Sequence, residues 1–265
     1  MRFDKTAEIN GISLRYETSG TGDPAILLLH GLGSDPGALR GTVASLSATF
    51  RVIVPIQRGH VPSGTVPPYT NDQLVDDALR LVEKLAISSL VAVGYSRGAQ
   101  TALALAAERP DIVKGVVSLG GVSHADEATL QQDPALFASI ERDGLDRFAE
   151  NVARMLVSRK GLVTNPSLRD YAKLNMARHA PDTMIRLLRD YHAADIRPLL
   201  PKVKCPVVLV VGADDQMCSL RSQIELKARL EQCVVRVLPS VGHDYVGEAV
   251  AEVNALIAEF VAGLT

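Results

Sequence analysis

The sequence predicts an α/β fold built on a mostly parallel β-sheet that helices cover on both faces. The first observation is a series of short, continuously apolar segments, as expected of strands buried on both faces. They are 25–30, 51–55, 90–95, 113–120, 206–212 and 233–239. The second observation is helical periodicity between these segments, and such alternation favours parallel strands joined by right-handed crossovers. Functional residues are then expected in loops at the carboxyl ends of the strands.

Two alternating segments precede this series and predict an antiparallel hairpin. Residues 3–9 and 13–19 alternate apolar and polar side chains around Asn10-Gly11. That dipeptide is the strongest local signal for a tight hairpin turn. The chain is therefore expected to open with two antiparallel strands.

The clearest helix is predicted over 70–86. Thr70 and Gln73 have the spacing of a capping box at its start. Four apolar residues then recur on one helical face, which is expected to pack against the sheet. They are Leu74, Ala78, Leu81 and Leu85.

The region from 122 to 200 interrupts the alternation of strands and helices. It contains no strand pattern, and 135–156 and 167–193 have the periodicity of amphipathic helices. We therefore expect a core domain formed by 1–121 and 201–265, with 122–200 inserted as a helical lid.

Composition excludes several classes of protein. With 265 residues and 47% hydrophobic content, the chain can bury a sizeable core. Its formal net charge is −2, without a basic patch, so nucleic acid is not an expected partner. The N-terminus lacks the apolar centre of a secretory signal, and no segment approaches the ~20 apolar residues of a membrane span. A cytoplasmic protein without membrane association is expected.

The three cysteines do not predict a disulfide framework or a metal site. Cys205, Cys218 and Cys233 lie far apart, without the spacing of zinc ligands. Cys205 and Cys233 fall in predicted strands and are expected to be small core residues.

Ser96 lies at a junction that few sequences can form. The predicted strand ends at Tyr95 and the next helix begins at Arg97, so Ser96 alone makes the reversal. Gly94 and Gly98 relieve the crowding between strand and helix, which matches the G-x-S-x-G nucleophile elbow. The elbow would expose the Ser96 hydroxyl beside a helix N-terminus. The alternative is a Gly-Ser turn that only caps the helix.

A serine nucleophile needs a base and an acid that fixes the base's tautomer. Both follow in the order Ser, Asp, His, at the ends of later strands. Asp214 and Asp215 come after one strand, and His243 comes after the last. We predict His243 as the base, whereas Asp244 is expected to act only as a helix N-cap.

Residues 30–34, His-Gly-Leu-Gly-Ser, follow the third predicted strand, where an oxyanion-hole loop is needed. The backbone N–H groups of Leu32 and Arg97 would then converge on a developing negative oxygen. Alternatively, Gly31 and Gly33 form only a tight turn.

Together, "HGLG", "GYSRGA", "VVGADDQ" and "SVGHD" resemble the α/β-hydrolase superfamily, and they stand in family order across the chain. The resemblance implies an eight-stranded sheet with an antiparallel second strand and a helical cap after the sixth. It also assigns the acid to Asp215, through the pattern G-x-x-D, and implies neither a metal nor an organic cofactor. The small capped branch that it resembles contains esterases, lactonases, thioesterases, perhydrolases and C–C bond hydrolases.

The sequence departs from the family pattern at two places. The frequent D-x-R-G-x-G-x-S loop is "IQRGHVPS", with Ile56 and Val61 replacing the Asp and the second Gly. Arg97 stands where Met, Gln or Leu is more usual. Its guanidinium is suited either to a carboxylate of the substrate or to an internal ion pair with Asp or Glu.

We predict a serine hydrolase that cleaves a small carboxylic ester through an acyl-enzyme, using Ser96, Asp215 and His243. A C–C bond (diketone) hydrolase or a lactonase is the alternative on the same triad. A ligand receptor with negligible turnover is the alternative from another class. The expected partner is a small ester or related acyl substrate; its acyl and leaving groups, and whether the chain forms a homo-oligomer, remain open. Lid residues that could line the pocket, or only pack between helices, are Met155, Met176 and Met184.

Overall fold

The computed structural model describes residues 3–264 and confirms the predicted sheet. Its eight strands lie in the order β1-β2-β4-β3-β5-β6-β7-β8. Their bounds are β1 Lys5–Ile9, β2 Ile12–Ser19, β3 Ala25–Leu29, β4 Val52–Pro55, β5 Leu90–Tyr95, β6 Val113–Leu119, β7 Val207–Gly212 and β8 Cys233–Leu238.

Strand direction follows the prediction. β2 pairs antiparallel with both β1 and β4, whereas the remaining pairs are parallel. The β1–β2 turn is formed by Asn10 and Gly11, both with positive φ (46° and 76°), as a type I′ turn requires. The carboxyl ends of β3, β5, β6, β7 and β8 therefore meet at one edge of the sheet.

Helices occupy both faces of this sheet. Their bounds are α1 Arg40–Leu46, α2 Asn71–Lys84, α3 Arg97–Glu108, α4 Glu127–Asp143, α5 Leu145–Leu156, α6 Arg159–Thr164, α7 Ser167–Ala177, α8 Pro181–His192, α9 Leu220–Lys227, α10 Tyr245–Glu248 and α11 Val250–Ala262. Buried residues of α2 and α3 form a core on one face, and those of α1 and α11 form a core on the other. No helix in residues 3–264 is both long and apolar enough to cross a membrane.

Helices α4 to α8 lie between β6 and β7, in the region predicted to form the lid. Four of them, α4, α5, α7 and α8, share a small core of their own, centred on Phe148, Met184 and Leu188. Within this described region, the only strand-like pairing is a single bridge between His124 and Asp195.

Two local predictions are corrected, those for Cys205 and for the capping box. Cys205 lies before β7 rather than in a strand, whereas Cys233 lies in β8 as predicted; both are half-buried at the edge of the core. At α2, the Thr70 side chain caps the Gln73 N–H (3.3 Å) as predicted. The Gln73 side chain does not complete the box, because it donates to Asp77 (3.1 Å) one turn further along the helix.

Candidate active site

Ser96 occupies the tight turn between β5 and α3. Its backbone lies at φ 53° and ψ −117°, and its N–H donates to the Leu119 carbonyl at 2.8 Å. The flanking glycines permit this turn, because a Cβ at Gly94 would collide with the Gly98 carbonyl and one at Gly98 with the Leu29 carbonyl. The strained conformation is typical of residues held for function.

His243 and Asp215 form a buried pair beyond the ends of β8 and β7. His243 Nδ1 lies 2.7 Å from Asp215 Oδ2, and the two side chains are 3% and 0% exposed. Asp214, the other candidate acid, is exposed to solvent. The structure therefore brings together the histidine and the aspartate that were predicted to act as a pair.

Asp215 is held as a carboxylate by four donors. Oδ1 accepts the N–H groups of Met217 and Cys218, both at 2.8 Å, and Oδ2 accepts from His243 and from the Tyr245 hydroxyl, the latter at 2.5 Å. Burial acts to raise the pKa of Asp215, but the hydrogen bonds from His243 and Tyr245 outweigh it and lower that pKa. Asp215 can thus fix the Nδ1–H tautomer of His243.

Tyr245 is a site residue that the sequence analysis missed. Burial raises the pKa of its hydroxyl well above the ordinary value, so the hydroxyl stays a donor to Asp215. Its ring also lies 5.7 Å from the ring of His243. The only signal was its position two residues after the predicted base.

Ser96 and His243 line the same cavity, which has a volume of about 1080 Å³. His243 Nε2 is buried and has no hydrogen-bond partner among residues 3–264. Tyr191 of α8 lines the cavity together with Ser96. Burial raises the pKa of Tyr191 to about 12, and the positive charge of Arg97 acts against that rise. An unpartnered nitrogen and a hydroxyl nucleophile therefore share one cavity.

The loop after β3 lies against Ser96. A Cβ built at Gly31 would stand 3.3 Å from Ser96 Cβ and 3.2 Å from the Tyr95 ring. Gly33 has φ 67°, a conformation that favours glycine. The N–H groups of Leu32 and Arg97 have no acceptor within residues 3–264, so both are free to bind an oxyanion.

Two neutral histidines hold this loop in place. His30 Nε2 accepts the Gln57 N–H and His60 Nε2 accepts the Gly33 N–H, each at 2.9 Å. Burial lowers the pKa of His30 to about 4 and holds the pKa of His60 well below its ordinary value. The sequence analysis missed His60, which comes from the loop that departs from the family pattern.

That divergent loop keeps a buried anchor despite its substitutions. Ile56 is buried, whereas Val61 is 56% exposed. Arg58, which is retained, binds both carboxylate oxygens of Asp77 at 2.7 and 2.9 Å. The loop is therefore fixed by Arg58 and not by the two replaced positions.

The backbone around His243 is bonded to the joint between α5 and α6. The N–H groups of His243 and Asp244 donate to the Leu156 carbonyl at 2.7 and 2.9 Å. Glu248 accepts the Gly242 N–H and the Ser158 N–H, both at 3.1 Å, and also the Ser158 hydroxyl. The predicted lid and the histidine loop therefore form one hydrogen-bonded unit. Asp244 caps the Gly247 N–H (3.1 Å), as predicted.

Replacing Glu248 with Ala should destabilise the protein by about 2–4 kcal/mol. The reason is that the Gly242 N–H, the Ser158 N–H and the Ser158 hydroxyl would lose the carboxylate that accepts their hydrogen bonds. The kcat of the remaining folded enzyme should also fall, since the loop that carries His243 loosens. Chemical denaturation and steady-state kinetics measure the two effects. Glu252→Ala, an exposed change on α11, is the matched control and should stay within about 0.5 kcal/mol. Equal stability of the two variants would contradict this role for Glu248.

The lid methionines divide between the two predicted alternatives. Met155 lines the cavity. Met176 and Met184 are 6% and 0% exposed and belong to the core shared by α4, α5, α7 and α8, where both approach Gly33. Two of the three therefore pack between elements.

Neither predicted role for the Arg97 side chain matches the structure. The side chain is 1% exposed, does not line the cavity and has no ion-pair partner among residues 3–264. It donates instead to the backbone carbonyls of Leu187, at 3.1 Å, and Tyr69. Among the described residues, no group of three or more His, Cys, Asp or Glu side chains could hold a metal ion.

Comparisons with known proteins agree with this architecture. Residues 24–248 match the family model described as the alpha/beta hydrolase fold. The chain is 26% identical to 3-oxoadipate enol-lactonase 2 of Acinetobacter baylyi, over 82% of each chain. It is 25% identical to 2-hydroxy-6-oxononadienedioate/2-hydroxy-6-oxononatrienedioate hydrolase of a Pseudomonas species, over 96% of this chain and 93% of the relative.

Among solved structures, the enol-lactonase of Burkholderia xenovorans LB400 superposes with a TM-score of 0.89 at 23% identity. The superposition covers 97% of this chain and all of that one (100%). Both of these curated relatives are hydrolases, and the family match covers most of the sequence, from before His30 to beyond His243. The chain belongs to the α/β-hydrolase fold family.

Proposed function

We propose that the protein is a serine hydrolase that cleaves a small carboxylic ester through an acyl-enzyme intermediate. The observation that carries this proposal is the cavity shared by Ser96 and His243. Ser96 lies at a strained turn. Asp215 lies within hydrogen-bonding distance of His243 Nδ1, which leaves Nε2 as the proton acceptor. This is the arrangement that activates a hydroxyl nucleophile at neutral pH.

In the first step, Ser96 Oγ forms a bond to the acyl carbon while its proton moves to His243 Nε2. The carbonyl oxygen becomes an oxyanion held by the N–H groups of Leu32 and Arg97. The intermediate collapses by breaking the bond to the leaving oxygen, which takes the proton from His243. The products of this step are the alcohol and the Ser96 ester.

In the second step, water attacks the Ser96 ester and gives one proton to His243 Nε2. The second tetrahedral intermediate collapses by breaking the bond to Ser96 Oγ, which recovers the proton from His243. A carboxylic acid leaves and the enzyme is restored. Asp215 stabilises the imidazolium that forms in both steps.

Lactone hydrolysis is the second candidate, and the enol-lactonase relatives favour it. A lactone is a cyclic ester, so the bond changes are the same and the leaving oxygen stays tethered to the acyl group. Cleavage of a C–C bond, suggested by the Pseudomonas relative, differs because the leaving group is a carbon acid. A ligand receptor would use the same cavity without turnover.

The cavity walls indicate a substrate with polar groups. Helices α4, α5 and α8 contribute to these walls, which supports the proposal that 122–200 acts as a lid. A His192–Asp133 pair, with His192 Nδ1 2.8 Å from the carboxylate, faces the cavity beside Ser123 and His124. Polar groups in a pocket wall fix the orientation of a bound ligand.

Pre-steady-state kinetics with 4-nitrophenyl acetate tests the proposal. An acyl-enzyme predicts a burst of about one equivalent of 4-nitrophenolate per active site, followed by slower turnover. Parallel assays with a γ-lactone and a vinylogous diketone rank the competing reactions. Retention of one ligand per chain without any product would favour the receptor and reject the hydrolase.

A further inference from the structure

The guanidinium of Arg97 is a buried positive charge without a carboxylate partner among residues 3–264. Its two terminal nitrogens donate to the carbonyls of Leu187 and Tyr69, and its Nε is buried without an acceptor in residues 3–264. Burial lowers the pKa of Arg97 to about 10, so the group stays charged at neutral pH. The negative charge of Asp190 acts against this lowering of the Arg97 pKa. The Asp190 carboxylate accepts a hydrogen bond from the Tyr69 N–H at 2.7 Å.

Arg58 shows how the same fold buries an arginine for structural purposes. It is 2% exposed, as Arg97 is 1% exposed, but it binds both oxygens of Asp77. A buried charge without such a partner costs stability. A neutral side chain of similar length could fill the Arg97 position without that cost. The positive charge of Arg97 is therefore expected to have a role other than stabilising the fold.

The position of the charge indicates this role. Arg97 directly follows Ser96 at the first turn of α3, where the helix dipole is also positive. Arg97 Cζ lies 5.9 Å from the centre of the Tyr191 ring, and Tyr191 and Ser96 line the same cavity. The guanidinium therefore lies behind the Tyr191 side chain, which forms part of the wall of the cavity that contains the nucleophile.

We propose that the Arg97 side chain stabilises the oxyanion of the tetrahedral intermediate by its charge, acting across Tyr191. The inference rests on the proposed serine-hydrolase function. Fixed charges act strongly on a developing anion where water is excluded, and they need no rearrangement during the reaction. The oxyanion then supplies the negative charge that Arg97 does not find among the described residues.

The test compares Arg97→Met with Arg97→Lys. Arg97→Met should lower kcat for 4-nitrophenyl acetate about tenfold with KM changed less than about twofold, because the charge acts in the transition state. Affinity for phenylboronic acid, which forms an anionic tetrahedral adduct with the serine, should fall by a similar factor. Arg97→Lys should keep more of both, since it keeps the charge.

Stability provides an independent readout. The Tm of Arg97→Met should change little, because removal of an unpaired buried charge offsets the loss of the hydrogen bonds to the Leu187 and Tyr69 carbonyls. Arg58→Met, the matched control, should lower the Tm, because it leaves Asp77 buried without its partner. A lower Tm for Arg97→Met with unchanged kcat and unchanged boronate affinity would show that Arg97 only stabilises the fold. That result would overturn the inference.

Equal losses in the Met and Lys variants would also overturn it, because the charge would then be irrelevant. Reaction of the wild type with a fluorophosphonate separates these results from failure of the proposed function. A wild-type adduct together with unchanged boronate affinity in Arg97→Met rejects only the role of Arg97. A wild type that forms no adduct rejects the serine-hydrolase function and this inference with it.

Discussion

Replacing Ser96 with Ala should lower kcat for a 4-nitrophenyl ester by about 10⁶-fold, the size of the loss when a triad serine is removed from subtilisin. The reason is that no other hydroxyl among residues 3–264 combines the elbow, a cavity shared with His243 and the free N–H groups of Leu32 and Arg97. Some turnover above that in water should persist, because the oxyanion hole remains. Steady-state kinetics with the folded variant, checked by circular dichroism, measures the effect.

Ser88→Ala is the matched control for this substitution. Ser88 is exposed and precedes β5, at the opposite end of the strand that carries Ser96. Its replacement should change kcat less than about twofold and stability within about 0.5 kcal/mol. Retention of more than about one hundredth of the wild-type kcat in Ser96→Ala would contradict the nucleophilic role, since triad losses are far larger.

Asp215→Asn should lower kcat by about 10⁴-fold, as the equivalent change does in the serine proteases. The amide can still contact His243, but its N–H₂ group favours the tautomer whose proton lies on Nε2. That nitrogen can then no longer accept the proton of Ser96. The comparison variant is Asp214→Asn, because Asp214 is adjacent and exposed.

We expect Asp214→Asn to keep kcat within about threefold of the wild type, because the exposed Asp214 side chain is not the hydrogen-bond partner of His243. Both variants should be assayed over a range of pH, so that a shift in the pH optimum of kcat is distinguished from the loss of a catalytic group. If Asp214→Asn proved the more damaging change, the acid of the proposed triad would have to be reassigned despite the 2.7 Å contact with Asp215.

The sheet could be predicted because its strands carry their own signal. β3, β5 and β7 are buried along their whole length, so each appears in the sequence as an unbroken apolar segment. The elbow was equally predictable, since the glycines at 94 and 98 are needed wherever a strand and a helix meet at one residue. At these positions the fold requires residue types that the local sequence pattern already displays.

The supporting contacts of the site could not be predicted in the same way. The Tyr245 hydroxyl reaches Asp215 across 30 residues, and Glu248 reaches Ser158 across 90 residues. Such pairs depend on how the loops beyond the sheet meet, which periodicity does not encode. Arg97 shows the same limit, because an internal carboxylate partner was a reasonable expectation and the fold provides carbonyls instead.

The most direct test of the proposed mechanism is to locate the adduct formed by a fluorophosphonate. The wild-type protein should gain one phosphonyl group per chain, and peptide mass spectrometry should place it on Ser96. Labelling should disappear in Ser96→Ala and slow by orders of magnitude in His243→Ala, because the reagent needs an activated serine. An adduct on another residue, or undiminished labelling of Ser96→Ala, would contradict the account.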